Sequence, residues 1–221
     1  MPTPQTWKGE RLQEPLILVG RHVRLEPLAP AHAPDLYRAG HAPDIWRYLA
    51  EPRGPFVTVS DAAQWVAHTL ADHAAGVRLP FTIIFLAAGC AIGSTSYFFE
   101  TRWANRTLEI GGTWLCPEYW RSAVNTECKY LLLRQAFETL KTERIEFMTD
   151  ARNVRSQRAI ERLGACKEGV LRAHMLCPDG HRRDSIYYSI LDTEWPWVKT
   201  RLEAALASQA PQRGQTHKEP C

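Results

Sequence analysis

The fold of this chain is decided by "LEIGGTWLCPEYWRSAVNTECKYLLLRQAFETL", Leu108 to Leu140. Its first part reads as a strand stopped by Pro117, because proline cannot donate to a sheet ladder. Within that strand the pair Gly111–Gly112 predicts a bulge or the close approach of another backbone. The second part predicts a long helix in which Tyr130, Leu133, Ala136, Phe137 and Leu140 recur at helical spacing as a core stripe. Between them lies "WRSAVNT", a turn into a helix N-terminus, where backbone amides suit an anion. It contains no glycine, the residue that lets backbone come closest to a phosphate.

Outward from this stretch, strands and helices alternate without a linker or an internal repeat. "RHVRLEPL" (Arg21 to Leu28) alternates as a first strand. "APDLYRAG" and "PDIWRYLA" are short helical segments opened by Pro-Asp pairs. "SDAAQWVAHTLADHAAG" predicts a helix capped by Ser60 and closed by Gly76. "PFTIIFLAAGCAIGSTSYFFE" predicts two strands around an Ala-Ala-Gly turn. After the central helix come a short strand, "RIEFMTD", and a helix, "NVRSQRAIERLG", closed by Gly164. A hairpin follows, turning at Pro178-Asp179-Gly180, and then a last helix with Pro196 near its start. The expected organisation is a polar arm (1–15), one mixed α/β domain (16–206) and a polar, disordered tail (207–221).

The 221 residues suffice for one well-buried core, and 45% hydrophobic with 23% charged residues is ordinary globular composition. A net charge of +3 is too small to argue for nucleic acid. The six cysteines form no CxxC pair, so no metal site is expected. No segment reads as a secretory signal or as a bilayer span, and the expected location is the cytoplasm with reduced thiols. No GxGxxG or GxxxxGK[ST] follows a strand, which disfavours a doubly wound nucleotide-binding protein.

Three stretches together, "LEIGGTWLCPEYWRSAVNTECKYLLLRQAFETL", "RIEFMTDARNVRSQRAIERLGA" and "GVLRAHMLCPDGHRRDSIYYSI", resemble the GCN5-related N-acetyltransferase (GNAT) family. Within it they look most like the RimJ/RimL group, which acetylates protein N-termini. The resemblance runs from about Leu18 to Trp197 and is strongest from Glu109 to Ile190. It implies a mostly antiparallel sheet, splayed at an acyl-CoA notch and flanked by helices. It also implies direct transfer of an acetyl group from acetyl-CoA to a primary amine, either a protein N-terminus or a small molecule, with homodimerisation as a family habit. The rival reading is an acyl-CoA-binding sensor that transfers nothing.

Each implied site residue also has a plainer reading. Glu109 takes the place of the family's base, and is otherwise a solvent-facing strand carboxylate. Trp114, Leu115 and Cys116 would pair their main chain with the pantetheine arm, or only pack. Cys116 has no local His or Asp to make it a nucleophile. Trp120, Arg121, Ser122, Ala123, Val124 and Asn125 match the pyrophosphate loop, with Trp120 where the family carries Gln or Arg and Ala123 where it carries Gly. Asn153 would bridge the cofactor's amides and Ser156 would assist the leaving thiolate, or they are a helix cap and a surface hydroxyl. Arg172, His174, Arg182 and Arg183 could shape a substrate site or contact an acidic partner, with surface solvation of the hairpin as the plainer reading. Trp46, Trp65 and Trp103 belong to a region that lines the acceptor cleft in the family, although core packing is the default for each.

Overall fold

A computed structural model describes residues 15–49, 54–99, 105–177 and 180–208. The expected arm and tail, Trp103, Cys221 and the turn residues Pro178 and Asp179 lie outside the described residues, apart from Pro15 and residues 207–208. Eight strands form a single sheet. They are β1 (Leu18–Val19), β2 (Val23–Pro27), β3 (Arg78–Phe85), β4 (Cys90–Phe98), β5 (Thr107–Leu115), β6 (Arg144–Asp150), β7 (Cys166–Leu176) and β8 (Arg182–Leu191). The order across the sheet is β1-β2-β3-β4-β5-β6-β8-β7. All neighbours are antiparallel except β5 and β6.

That parallel pair shapes the molecule. Thr107, Leu108 and Glu109 pair with Arg144, Ile145 and Glu146, and there the pairing stops. Both strands continue, β5 to Leu115 and β6 to Asp150, so they diverge from Glu109 onward. The connection between them is the helix α4 (Ala123–Arg134), extended by a wider π-helical turn over Gln135–Thr139.

The two faces of the sheet are covered by different helices. On one face, Leu79, Phe81, Ile83, Ile92, Leu108 and Ile110 pack with Leu131, Leu132 and Phe137 of the α4 segment. The same core takes in Ile160 and Leu163 of α5 (Val154–Leu163) and Trp195 and Val198 of α6 (Trp195–Ser208). On the other face, Ile84 and Ala91 meet α1 (Ala33–Ala39), α2 (Pro43–Trp46) and α3 (Val59–Ala74). The expected stripe on α4 needs one correction. Tyr130 is only half-buried and its hydroxyl donates to Glu203 (2.6 Å), while the fully buried positions are Cys128, Leu132 and Leu133. A helix roofed by a second helix buries more than one stripe.

The cap of α3 also differs from the expectation. Its N-cap is Thr58, whose side chain accepts the Asp61 amide (3.2 Å) while Asp61 Oδ2 accepts the Thr58 amide (2.8 Å). Asp61 completes a reciprocal box that Ser60, already inside the helix, cannot make. Those backbone bonds hold the Asp61 carboxyl below the usual carboxylate range.

The glycine pair behaves as the strand pattern predicts. Between Ser94↔Trp114 and Ser96↔Gly111 the register slips, which places an extra residue in β5. Gly112 carries it at φ 58°, a left-handed conformation that costs glycine little. The bulge reverses the alternation of the strand. Leu108 and Ile110 face the α4 core, yet Trp114 faces the α1–α3 side and Leu115 takes the α4 side. Gly111 serves a different end: a Cβ there would sit 2.7 Å from Glu109 Oε1 and 3.2 Å from the Phe98 ring. The missing side chain leaves room for the Glu109 carboxylate to lie back along its own strand.

Candidate active site

The gap between the diverging strands opens into a cavity of about 330 Å³. It reaches both sides of the sheet. Trp120, Arg121, Ser122 and Asn125 from the start of α4 line one end, with Asn153, Arg155 and Ser156 from the start of α5. Trp46, Tyr48, Trp65, Glu109, Lys129 and Arg183 line the other parts, and Gly111 to Leu115 run along one wall. Cys116, Ala123 and Val124 are not among its lining residues. Cys116 is buried in the α1–α3 cluster and Val124 in the α4 core.

The turn explains its own lack of glycine. Its left-handed residue is Arg121 (φ 58°), while Ala123 is the first residue of α4 and needs no special φ. Ser122 is the N-cap: its Oγ accepts the Val124 amide (3.3 Å) and donates to the Tyr119 carbonyl (2.7 Å). Its hydroxyl is therefore spent on the turn. The other first amides of α4 have no carbonyl four residues back and suit an anion. Trp120 occupies its place by two contacts. Its Nε1 donates to the Leu115 carbonyl (2.9 Å), fixing the turn to the end of β5, and the Arg155 guanidinium lies 3.6 Å from its ring centroid. Arg155 carries a charge from α5 to the turn that opens α4, and its spacing in the sequence gave no sign of this.

The left-handed Arg121 yields a prediction with opposed readouts. Arg121→Gly removes a strain of about 1 kcal/mol and is expected to raise Tm by roughly 2–4 °C. The same change takes away a guanidinium and is expected to weaken coenzyme A binding by roughly three- to tenfold. Thermal melts with and without coenzyme A check both. A fall in Tm would contradict the strain account.

Asn153 makes the plainer of its two expected contacts, because its Oδ1 accepts the Ser156 amide (3.0 Å) as N-cap of α5. It and Ser156 remain on the cavity wall. Trp46 and Trp65 pack in the core, as their default reading expects. They are buried with Phe56 and Trp114, with ring centroids 4.7 to 6.1 Å apart, and they also line the cavity.

Lys129 went unnoticed in the sequence because it sits inside a core helix. It is buried, and its ammonium donates to Thr95 (3.4 Å) and Thr113 (2.5 Å) beneath the bulge. Burial pulls its pKa down to about 8, against the opposing influence of Cys128 and Glu109. Arg183 is the second surprise. Arg172, His174 and Arg182 are exposed as expected, but Arg183 is buried and lines the cavity. Strand alternation turns it inward while its neighbours face solvent. Tyr188 is buried and Tyr187 half-buried, as alternation along β8 requires. No group of His, Cys, Asp and Glu that could hold a metal occurs among the described residues. No helix among them is long and apolar enough to cross a membrane.

Residues 22–165 match the acetyltransferase (GNAT) domain family. A solved GCN5-related N-acetyltransferase from Brucella melitensis is 32% identical with a TM-score of 0.83, covering 93% of this chain and 92% of that one. YdaF of Bacillus subtilis (strain 168), provisionally named a ribosomal N-acetyltransferase, is 33% identical over 95 residues. That match covers 43% of this chain and 51% of YdaF, about half the length of the relative. Mycobacterium smegmatis RimJ, solved in complex with CoA-disulfide, shares the fold at 23% identity and a TM-score of 0.72, covering 87% of this chain and 93% of that one.

Proposed function

The chain belongs to the GNAT acetyltransferase family, and from that premise we propose that it moves an acetyl group from acetyl-CoA directly to a primary amine. The observation that carries this reading is the divergence of β5 and β6 immediately after Glu109. Past that point no strand among the described residues pairs with the β6-facing edge of β5, so its peptide groups suit the amides of an extended pantetheine arm. The amides at the start of α4, with Arg121 beside them and Arg155 across the cavity, suit a pyrophosphate. The residues present thus fit acetyl-CoA, which when bound supplies an activated acyl group as a thioester.

The work left to the protein is positioning and proton traffic. Glu109, at the apex of the divergence and beside Gly111, is placed to take a proton from the incoming ammonium directly or through water. Backbone amides of the bulged segment near Trp114, on the cavity wall, would be the donors for negative charge developing on the acyl oxygen. Ser156, in the first turn of α5, offers a hydroxyl and the positive end of a helix to a departing thiolate. The acceptor approaches from the side of Trp46, Trp65 and Trp114. The provisional name of YdaF, ribosomal N-acetyltransferase, supports a protein amine as acceptor, and a small amine is the other member of the class.

Glu109→Gln keeps the shape of the side chain and removes the base. It is expected to lower kcat/KM by about tenfold or more, with coenzyme A affinity unchanged. The direct test is a screen of amines and peptides that follows release of the coenzyme A thiol, preceded by a thermal shift with acetyl-CoA. No stabilisation at saturating acetyl-CoA would overturn the reading. Binding without transfer to any amine would favour the sensor instead.

A further inference from the structure

Beyond Glu109, the sheet face on the acceptor side carries an unbalanced charge. Along β8 the residues Ile186, Tyr188 and Ile190 point into the α4 core, so Arg183 and Ser185 point to the opposite face. Glu109 shares that face, because its neighbours Leu108 and Ile110 also enter the α4 core. Arg183 is only 4% exposed, and its Nε is buried without a hydrogen-bond partner. Burial lowers its pKa, opposed chiefly by Asp150 and then by Cys177 and Glu109.

The anion closest in influence is already engaged. Arg152 donates to both oxygens of Asp150, from Nε at 3.1 Å and from Nη2 at 2.8 Å. Arg78, also on the cavity wall, is held by Asp72. Arg121 and Arg155 line the cavity at the starts of α4 and α5, and Arg162 lines it from the last turn of α5. Nearer Glu109, whose carboxylate is the one acidic group among the described lining residues, stand Lys129 and Arg183. A buried guanidinium with an unmade N–H bond is costly, and its planar fork matches a carboxylate.

From this placement, and resting on the amine-transfer reading above, we infer that Arg183 receives a carboxylate carried by the acceptor. The preferred acceptor is then an amine that bears an acidic group, which settles on Arg183 while its amino group lies towards Glu109. That carboxylate comes either from an acidic side chain near a peptide N-terminus or from the main chain of a free amino acid.

Matched probes separate the two sources. Aspartyl-alanyl-alanine amide against the asparaginyl peptide amide tests a side-chain acid, and phenylalanine against phenylalaninamide tests a main-chain acid. In calorimetry with coenzyme A present, the acid of at least one pair is expected to bind about tenfold tighter or more than its amide. Arg183→Gln is expected to bring that ratio near one, and Arg183→Lys to keep part of it, with coenzyme A affinity unchanged in both. A ratio near one in both pairs for the wild-type protein overturns the inference without reference to any variant. So does a failure of every probe to bind, or a preference that survives in Arg183→Gln. Transfer to acids and amides alike would defeat this inference and leave the transferase reading standing. An acid preference in binding with no transfer would do the reverse.

Discussion

Glu127→Ala is expected to destabilise the domain by roughly 3–5 kcal/mol, one of the two largest effects predicted for a single substitution in this protein. The buried carboxylate of Glu127, on α4, accepts three backbone amides from the turn between β1 and β2. Arg21 N lies 2.7 Å from Oε1, and His22 N and Val23 N lie 2.7 and 2.9 Å from Oε2. These bonds tie α4, which follows the Trp120–Ser122 turn, to the β1–β2 edge of the sheet. Removing the carboxylate strands three donors at once, and each unpaired buried donor costs about 1–3 kcal/mol before water or relaxation recovers part of it. Glu127→Gln keeps one acceptor oxygen but turns an amide NH₂ towards backbone donors, so a smaller loss is expected. Urea unfolding of the three proteins checks the order. A loss below about 1 kcal/mol for the alanine variant would mean that the turn is held by something else.

Lys129→Met is expected to act in the opposite sense and to stabilise the protein at neutral pH. The folded-state pKa of Lys129, about 8, lies below the ordinary 10.5 because burial disfavours the charge. At pH 7 the side chain is protonated whether the chain is folded or not, and the folded state bears the whole cost of a buried ammonium. From pH 8 to 10.5 the folded protein sheds the proton while the unfolded chain keeps it, so stability rises with pH across that window. The gain from Lys129→Met is therefore largest below pH 8, on the order of 2–3 kcal/mol, and fades towards pH 10.5. The threonines are not left stranded, because Thr95 and Thr113 share a hydrogen bond of 2.8 Å. Comparing urea midpoints of the two proteins at pH 7 and at pH 9.5 cancels the alkaline titrations they have in common. A variant less stable than wild type at pH 7 would refute the argument. A costly ammonium beside Glu109 on the cavity wall is the kind of feature that function retains against stability.

Much of the site was legible because its signals are local. A glycine pair in a β-branched strand announces a bulge, and Gly112 carries it. An Asn three residues ahead of a Ser at a helix start announces a cap, and Asn153 makes it. Lys129 and Arg183 carry no such signal. A lysine inside a helix and an arginine in a run of hairpin charges read as solvated until the partners above them are known. Tyr130 misled for the same reason, since the stripe depends on where α6 lies.

The sequence by itself determined the order of strands and helices, the bulge and the anion-suited turn. Those follow from backbone sterics and periodicity, which act over a few residues. Only the tertiary structure decided that β5 and β6 part company at Glu109, and that Arg121 rather than Ala123 takes the left-handed place in the turn. It also decided that Lys129 and Arg183 are charges turned inward. Burial and electrostatic balance depend on groups far apart in the chain: Lys129 answers to Thr95, and Arg183 to Asp150 and Glu109.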